Sequence, residues 1–200
     1  MRSLRNLLPL LLLCATPAAA QLLSQAELDT VREHYSLESA LKDPAKVYRL
    51  QLTGKKLKEL PEGIRQLTNL NALDLGRNKL RELPEWLGEL PHMQEFRAPR
   101  NKLRQVPAAV CKWKHLKRLD LHQNEIEGLP ACMGDLKEVV SLDLWSNDLA
   151  EFPDELKGMT GVRFIDLRVI QFDEKEQQLI TDLFPKAKIF FSQPCNCGSP

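Results

Sequence analysis

Written in rows of 23 residues from Val47, the chain puts its apolar side chains in the same columns. "LNALDLGRNKLRELPEWLGELPH" is followed by "MQEFRAPRNKLRQVPAAVCKWKH" and then by "LKRLDLHQNEIEGLPACMGDLKE". The row before them begins "VYRLQLTGKKL", the row after begins "VVSLDLWSNDL", and a partial sixth begins "VRFIDLRVIQF". Apolar residues recur at row positions 1, 4, 6, 11, 14, 18 and 21, with no gap or insertion. Positions 4 and 6 alternate with polar neighbours, which predicts a short strand with one buried face. Parallel strands need a crossover to return, and the rest of each row supplies it. Asparagine holds position 9 in four rows (Asn78, Asn101, Asn124, Asn147), just past the strand. There its amide can pair backbone groups that an inward turn would otherwise bury unsatisfied. Proline holds position 15 in five rows and fixes the start of the return. Each coil buries its apolar side chains against the next, giving one continuous core.

Both flanks carry the signals of end caps. Before the rows, Ser24 and Glu27 have capping-box spacing. Leu28, Val31, Tyr35, Leu37 and Leu41 follow at roughly helical spacing, up to Pro44. After the rows, Asp173 and Glu176 have the same spacing. "EKEQQLITDLF" then reads as a helix and "KIFFS" as a final strand. The first twenty residues have different grammar: Arg2 and Arg5, an apolar run from Leu7 to Cys14, then Ala18-Ala19-Ala20 before Gln21. That is the pattern of a secretory signal peptide. The run is too short for a good membrane span, and no later segment is long enough. The expected organisation is a signal peptide at 1–20, a helical cap at 21–46, repeats at 47–171, a helix-strand cap at 172–193 and a cysteine-containing tail at 194–200.

The rows match L-x-x-L-x-L-x-x-N-x-L followed by L-P-x-x-L, and on these residues the chain resembles the leucine-rich repeat family. The 23-residue period is similar to that of its Ras-suppressor-like subgroup. The resemblance implies an α/β fold: a right-handed curved solenoid with a parallel β-sheet on its concave face. It also implies binding rather than catalysis. The departures are Lys55 and Ile170 at the asparagine position and the third row, "EFRAPRNKL". There Phe96 and Ala98 replace leucines, Trp113 falls at a core position, and Pro99 sits at the strand's end. The substitutions are consistent with a core repacked at similar volume.

Twenty-eight Lys and Arg balance 27 Asp and Glu. So even a balance gives no overall field for nucleic acid or an anionic surface. Beyond the leader lie Cys111, Cys132, Cys195 and Cys197. An even number in an exported chain permits disulfides, with three possible pairings. Cys111 and Cys132 lie on the return strokes of adjacent coils, 21 residues apart, and are the candidate bridge. Cys195 and Cys197 can pair with each other or with a partner chain.

Strand positions 3, 5 and 7 point out of the concave sheet. Position 5 carries Asp74, Arg97, Asp120, Asp143 and Asp166; position 7 carries His122, Trp145 and Arg168. Three adjacent carboxylates repel, and Arg97, Arg118 and Arg168 are near enough to compensate. Calcium is an alternative counter-charge, but no dedicated ligand loop is present, so no metal or other cofactor is assigned. His122 beside two aspartates has no nucleophile next to it and no enclosed site, so no enzyme activity is assigned. Trp145, with His122 beside it and Phe164 on the next strand, is the best anchor for a partner. Arg97, Asp120, His122, Asp143, Trp145 and Arg168 are therefore the candidate contacts for another protein. Arg97 either neutralises its neighbouring aspartates or marks the binding site. The expected molecule is an exported, monomeric, non-catalytic binding module, secreted or at the periplasm or cell surface, with no nucleic-acid partner. The alternatives are an intracellular signalling scaffold and a structural envelope component. A mature N-terminus at Gln21 or at Met1 separates export from the cytoplasmic reading.

Overall fold

A computed structural model of the chain describes residues 22–192. The signal-like segment and the pair Cys195 and Cys197 lie outside these residues. Eight parallel strands form one open sheet in chain order. They are β1 (Glu33–His34), β2 (Arg49–Gln51), β3 (Ala72–Asp74), β4 (Glu95–Arg97), β5 (Arg118–Asp120), β6 (Ser141–Asp143), β7 (Phe164–Leu167) and β8 (Lys188–Phe191). The register follows the 23-residue period, with Leu50 against Leu73, Phe96 against Leu119 and Leu142 against Ile165. The molecule is the expected solenoid.

Each return stroke carries one 3-10 helix, the first at Glu62–Gln66 and the last of the five at Asp154–Gly158. The position-15 proline stands at every N-cap, for example Pro107 at φ −63°. Its ring fixes an extended approach, and its missing N–H removes a donor the helix start would leave unpaired. The last two return strokes pack most tightly. A Cβ at Gly134 would collide with the Glu155 carbonyl, and one at Gly158 with the Gly134 carbonyl.

The asparagines form the expected ladder and do more than close their own turn. The Asn124 amide nitrogen donates to Leu121 O of its own coil at 2.8 Å and to Ala98 O of the preceding coil at 3.0 Å. Its carbonyl accepts from Leu103 N at 3.1 Å. Asn78, Asn101 and Asn147 repeat the pattern. Position 8, one residue earlier, has positive φ in every coil: Gly54, Arg77, Arg100, Gln123, Ser146 and Val169. That left-handed residue is what turns the chain inward.

The third coil is repacked as its side chains suggest. Phe96 and Trp113 are buried with ring centroids 5.0 Å apart, and Ala98 beside them is fully buried. Trp113 Nε1 donates to Leu87 O of the coil before at 3.2 Å, so its one polar atom is satisfied.

The N-terminal cap corrects the expectation of one helix reaching Pro44. Two short helices, α1 (Gln25–Thr30) and α2 (Leu37–Ala40), flank β1. β1 pairs with β2 and covers the sheet edge that a continuous helix would leave unpaired. Leu37 and Leu41 of the α2 segment pack over Gly63 of the first return stroke, while Tyr35 is exposed. α1 keeps its predicted capping box but folds back along the sheet. Leu28 clusters with Leu23 and Ala72. Leu23 N donates to Asn71 Oδ1 at 3.1 Å, and Gln94 Nε2 donates to Leu23 O at 2.7 Å.

The C-terminal cap has its predicted capping box and helix, α3 (Glu174–Leu183). Ile180 and Phe184 are buried, but Leu179 is exposed. In the last coil, where Ile170 replaces asparagine, Ser192 Oγ accepts from Val169 N at 2.6 Å. Cys111 and Cys132 form a disulfide between adjacent return strokes, with Cα atoms 5.7 Å apart. No helix among the described residues is long and apolar enough to cross a membrane.

Candidate functional site

The concave face is a grid. Along each strand, positions 3, 5 and 7 face outward, and the register brings equal positions of neighbouring coils side by side. Asp74 pairs with Arg97, Arg97 with Asp120, Asp120 with Asp143, and Asp143 with Asp166.

The aspartates have a local role. Each accepts from the N–H two residues on: Asp74 from Gly76 at 2.8 Å, Asp120 from His122 at 3.3 Å, Asp143 from Trp145 at 3.2 Å and Asp166 from Arg168 at 3.1 Å. These bonds satisfy the position-7 donors where the strand ends. In the third coil both partners change together. Arg97 offers no acceptor, and Pro99 has no N–H to donate. The odd row thus removes a hydrogen bond cleanly, with no group left unpaired.

Arg97 spans its two aspartate neighbours, with Nε 3.1 Å from Asp120 and 3.9 Å from Asp74. Arg168 closes on Asp166 at 2.6 Å. Arg118 does not join the aspartates; it pairs with Glu95 at 3.3 Å. Asp143 is left in the centre, and among the described residues no guanidinium lies within 4 Å of it; Arg168 acts on it only at longer range. His122 Nδ1 lies 2.6 Å from Asp120 and 3.6 Å from Asp143. The Asp143 carboxyl is raised above its usual value, first by burial and then by the Asp120 charge beside it. Burial pushes Asp166 up too, but hydrogen bonds from Arg168 outweigh it and leave that carboxyl lowered.

The His122 ring meets the Trp145 ring edge-on at 5.5 Å, so Trp145 is half-buried. One strand further, Phe164 is 50% exposed and Phe190 of β8 is 36% exposed. Lys188 Nζ lies 4.9 Å from the Phe190 ring centroid and the Arg168 guanidinium 6.0 Å. The other end of the face is closed by α1. Gln25 Nε2 donates to Glu95 Oε1 at 2.8 Å, Arg49 donates to Leu28 O at 3.2 Å, and Ala72 and Glu95 are buried.

The sequence pattern described as "Leucine rich repeat" matches residues 45–103 and 99–149. The chain belongs to the leucine-rich repeat family. Solved leucine-rich repeat structures superpose on it. A leucine-rich repeat protein of Leptospira interrogans is 30% identical, with a TM-score of 0.64 over 80% of this chain and 46% of that one. Internalin C2 of Listeria monocytogenes is 18% identical, with a TM-score of 0.62 over 76% of this chain and 64% of its own. The Toll–Spätzle complex of Drosophila gives 22% identity and a TM-score of 0.57 over 68% of this chain and 18% of the other. The last two likenesses concern the fold. The chain spans less than two thirds of each of these structures. No curated protein matches it.

In this leucine-rich repeat solenoid the six candidate contacts lie on one sheet face, on β4 to β6 and the residues just after β5 to β7. Their geometry makes two clusters: Arg97–Asp120–His122–Asp143 with Trp145 at its edge, and Arg168–Asp166. Asp120, His122 and Asp143 each place one ligand atom within 4.8 Å of the others, and are the residues that could hold a cation. Leucine-rich repeat proteins are typically non-enzymatic binding modules. Phe190 and Lys188 escaped sequence reasoning because β8 lies outside the repeat. The alternation in "KIFF" was the available signal: Lys188 and Phe190 face outward, Ile189 and Phe191 inward.

Proposed function

We propose that the chain is an exported, non-catalytic module that binds another protein on the C-terminal half of its concave face. The observation that carries this is the asymmetry of that face. α1 occupies the strands of the early coils, while Trp145, Phe164 and Phe190 remain accessible around a carboxylate, Asp143, that has no guanidinium partner. Half-exposed aromatics on a rigid sheet lose little by being covered and need no ordering on binding. The partner chemistry that fits is a basic side chain on Asp143, flanked by apolar groups on Phe164 and Phe190. Export is supported by the signal-like first twenty residues and by a disulfide between coils, which persists in oxidising compartments. That the Toll–Spätzle complex is built on the same fold supports a protein partner.

Placing a photo-crosslinking amino acid at Phe164, and separately at Leu179, tests the reading in the producing cell. Adducts with one protein from position 164, and none from 179, are expected. Equal labelling from both positions sinks the face assignment. Sequencing the mature protein tests export: the expected first residue is Gln21, and a retained Met1 rejects it.

A further inference from the structure

The edge of the solenoid just past the strands carries a charge pattern that overall neutrality conceals. Positions 8, 10 and 12 alternate with buried positions 9 and 11, so they share one exposed edge. In the second coil they are Arg77, Lys79 and Arg81; in the third, Arg100, Lys102 and Arg104. The first coil adds Lys56 and Lys58 at positions 10 and 12. All eight are exposed, while Asn78, Leu80, Asn101 and Leu103 between them are buried. Backbone bonds hold the coils in lateral register here, from Lys79 N to Leu57 O at 2.7 Å and from Lys102 N to Leu80 O at 2.8 Å. Lys58, Lys79, Arg81 and Lys102 line one shallow groove together with Glu59 and Glu82, four cations against two carboxylates.

With coils about 4.8 Å apart and alternate residues about 6.7 Å apart, the eight cations fit a patch roughly 10 Å by 13 Å. Like charges that close repel. Yet among the described residues Lys56, Lys58, Arg77, Lys79, Arg81, Arg100 and Lys102 form no ion pair within 4 Å; Arg100 Nε donates to the neutral Gln123 Oε1 at 2.6 Å, and only Arg104 is ion-paired, with Glu125 at 3.4 Å. That contact marks a boundary. In the next two coils the same positions carry Glu125, Glu127 and Asp148.

We propose that this grid binds a linear sulfated polysaccharide, independently of the concave-face partner. Two pairs of arginines, at positions 8 and 12, flank a lysine column, and guanidinium forks match sulfate oxygens. No aromatic side chain stands among the cations to stack a base, and no apolar side chain to enter a bilayer, so nucleic acid and lipid surfaces fit worse. The acidic fourth and fifth coils limit the footprint to three coils.

The test uses the full chain and heparin as the probe. Binding at 0.15 M salt that weakens steeply as salt rises is expected. Lys79→Glu/Lys102→Glu is expected to weaken it at least tenfold. Lys114→Glu/Lys186→Glu, with the same net charge, is expected to leave it within twofold. In the unaltered protein, heparin should shield Lys79 and Lys102 from acetylation but not Lys114 or Lys186, a readout that needs no variant to fold. Equal loss in both variants, or uniform shielding, overturns the proposal. So does tighter binding to duplex DNA or to phosphatidylglycerol vesicles, or a dimer that forms without heparin and is abolished by Lys79→Glu/Lys102→Glu.

Discussion

The paired change at Arg97 and Pro99 can be reversed experimentally, and its energetics are calculable. Arg97→Asp alone loses the contacts to Asp74 and Asp120 and adds a fifth carboxylate to the column. At this half-exposed position the ion pairs are worth about 0.2–1 kcal/mol each. The new carboxylate also finds no N–H, because Pro99 has none. Pro99→Gly alone restores a donor but leaves it facing Arg97. Only the double variant rebuilds the bond seen in the coil before, where Asp74 accepts from Gly76 at 2.8 Å. Hydrogen bonds to charged groups contribute about 1.5–3 kcal/mol. The equivalent bonds elsewhere in the column lengthen to 3.3 Å and are partly solvated, so a coupling below that range, about 1 kcal/mol, is expected. In a double-mutant cycle the lost ion pairs, the added repulsion and the backbone entropy of glycine cancel, leaving this term. Urea unfolding followed by circular dichroism at pH 7 measures it. The double variant should be more stable than the sum of the singles by about 1 kcal/mol. Additivity within about 0.3 kcal/mol would refute the claim that the two residues changed as a bonded pair.

Other outcomes follow from the same geometry. Asn124→Ala strands Leu103 N in the interior, while Ala98 O and Leu121 O keep the Asn101 and Asn147 amides as donors; an unsatisfied buried group costs about 1–3 kcal/mol, so a loss of about 2 kcal/mol is expected in urea unfolding. A loss under 1 kcal/mol would mean that water replaces the side chain. Reducing Cys111–Cys132 opens a loop of 21 residues, for which the chain-entropy estimate is about 3 kcal/mol; melting with and without reductant checks it. The two perturbed aspartates act on stability with opposite signs. The raised Asp143 favours the folded state at low pH and loses that contribution as pH rises from the ordinary carboxylate value through its folded value. The lowered Asp166 contributes stability above the ordinary value, lost as pH falls through its folded value. Asp143→Asn should therefore stabilise at pH 7 and Asp166→Asn destabilise, with both effects shrinking below pH 3; stability curves from pH 2 to 7 decide.

The repeat made the sheet, the ladder and the columns legible, because a fixed period converts sequence distance into lateral neighbours. The legible part ended where contacts skip coils. Leu28, Val31, Tyr35, Leu37 and Leu41 have helical spacing, but pairing of β1 with β2 outweighs that weak preference. The fold-back of α1 depends on Asn71 and Gln94, which are 48 and 71 residues from Leu23. No periodicity carries such information. Arg118 was misassigned for a related reason, since its partner Glu95 lies beneath α1. The basic grid, in contrast, stands in the aligned rows at positions 8, 10 and 12. The near-zero charge balance averaged it against the acidic coils.

The strap formed by α1 has a further consequence for cooperativity. In a stacked array each coil touches only its neighbours, and stability spreads from one to the next. α1 breaks that rule by tying β2, β3 and β4 to one segment, so the early coils open together or not at all. The later coils, though closely packed on the return side, have no such tie across the sheet face among the described residues, so their strands can fray from the C-terminal end at lower cost. That freer half carries Trp145, Phe164 and Phe190. A protein that grips it would therefore also slow amide exchange there, acting as the missing second strap.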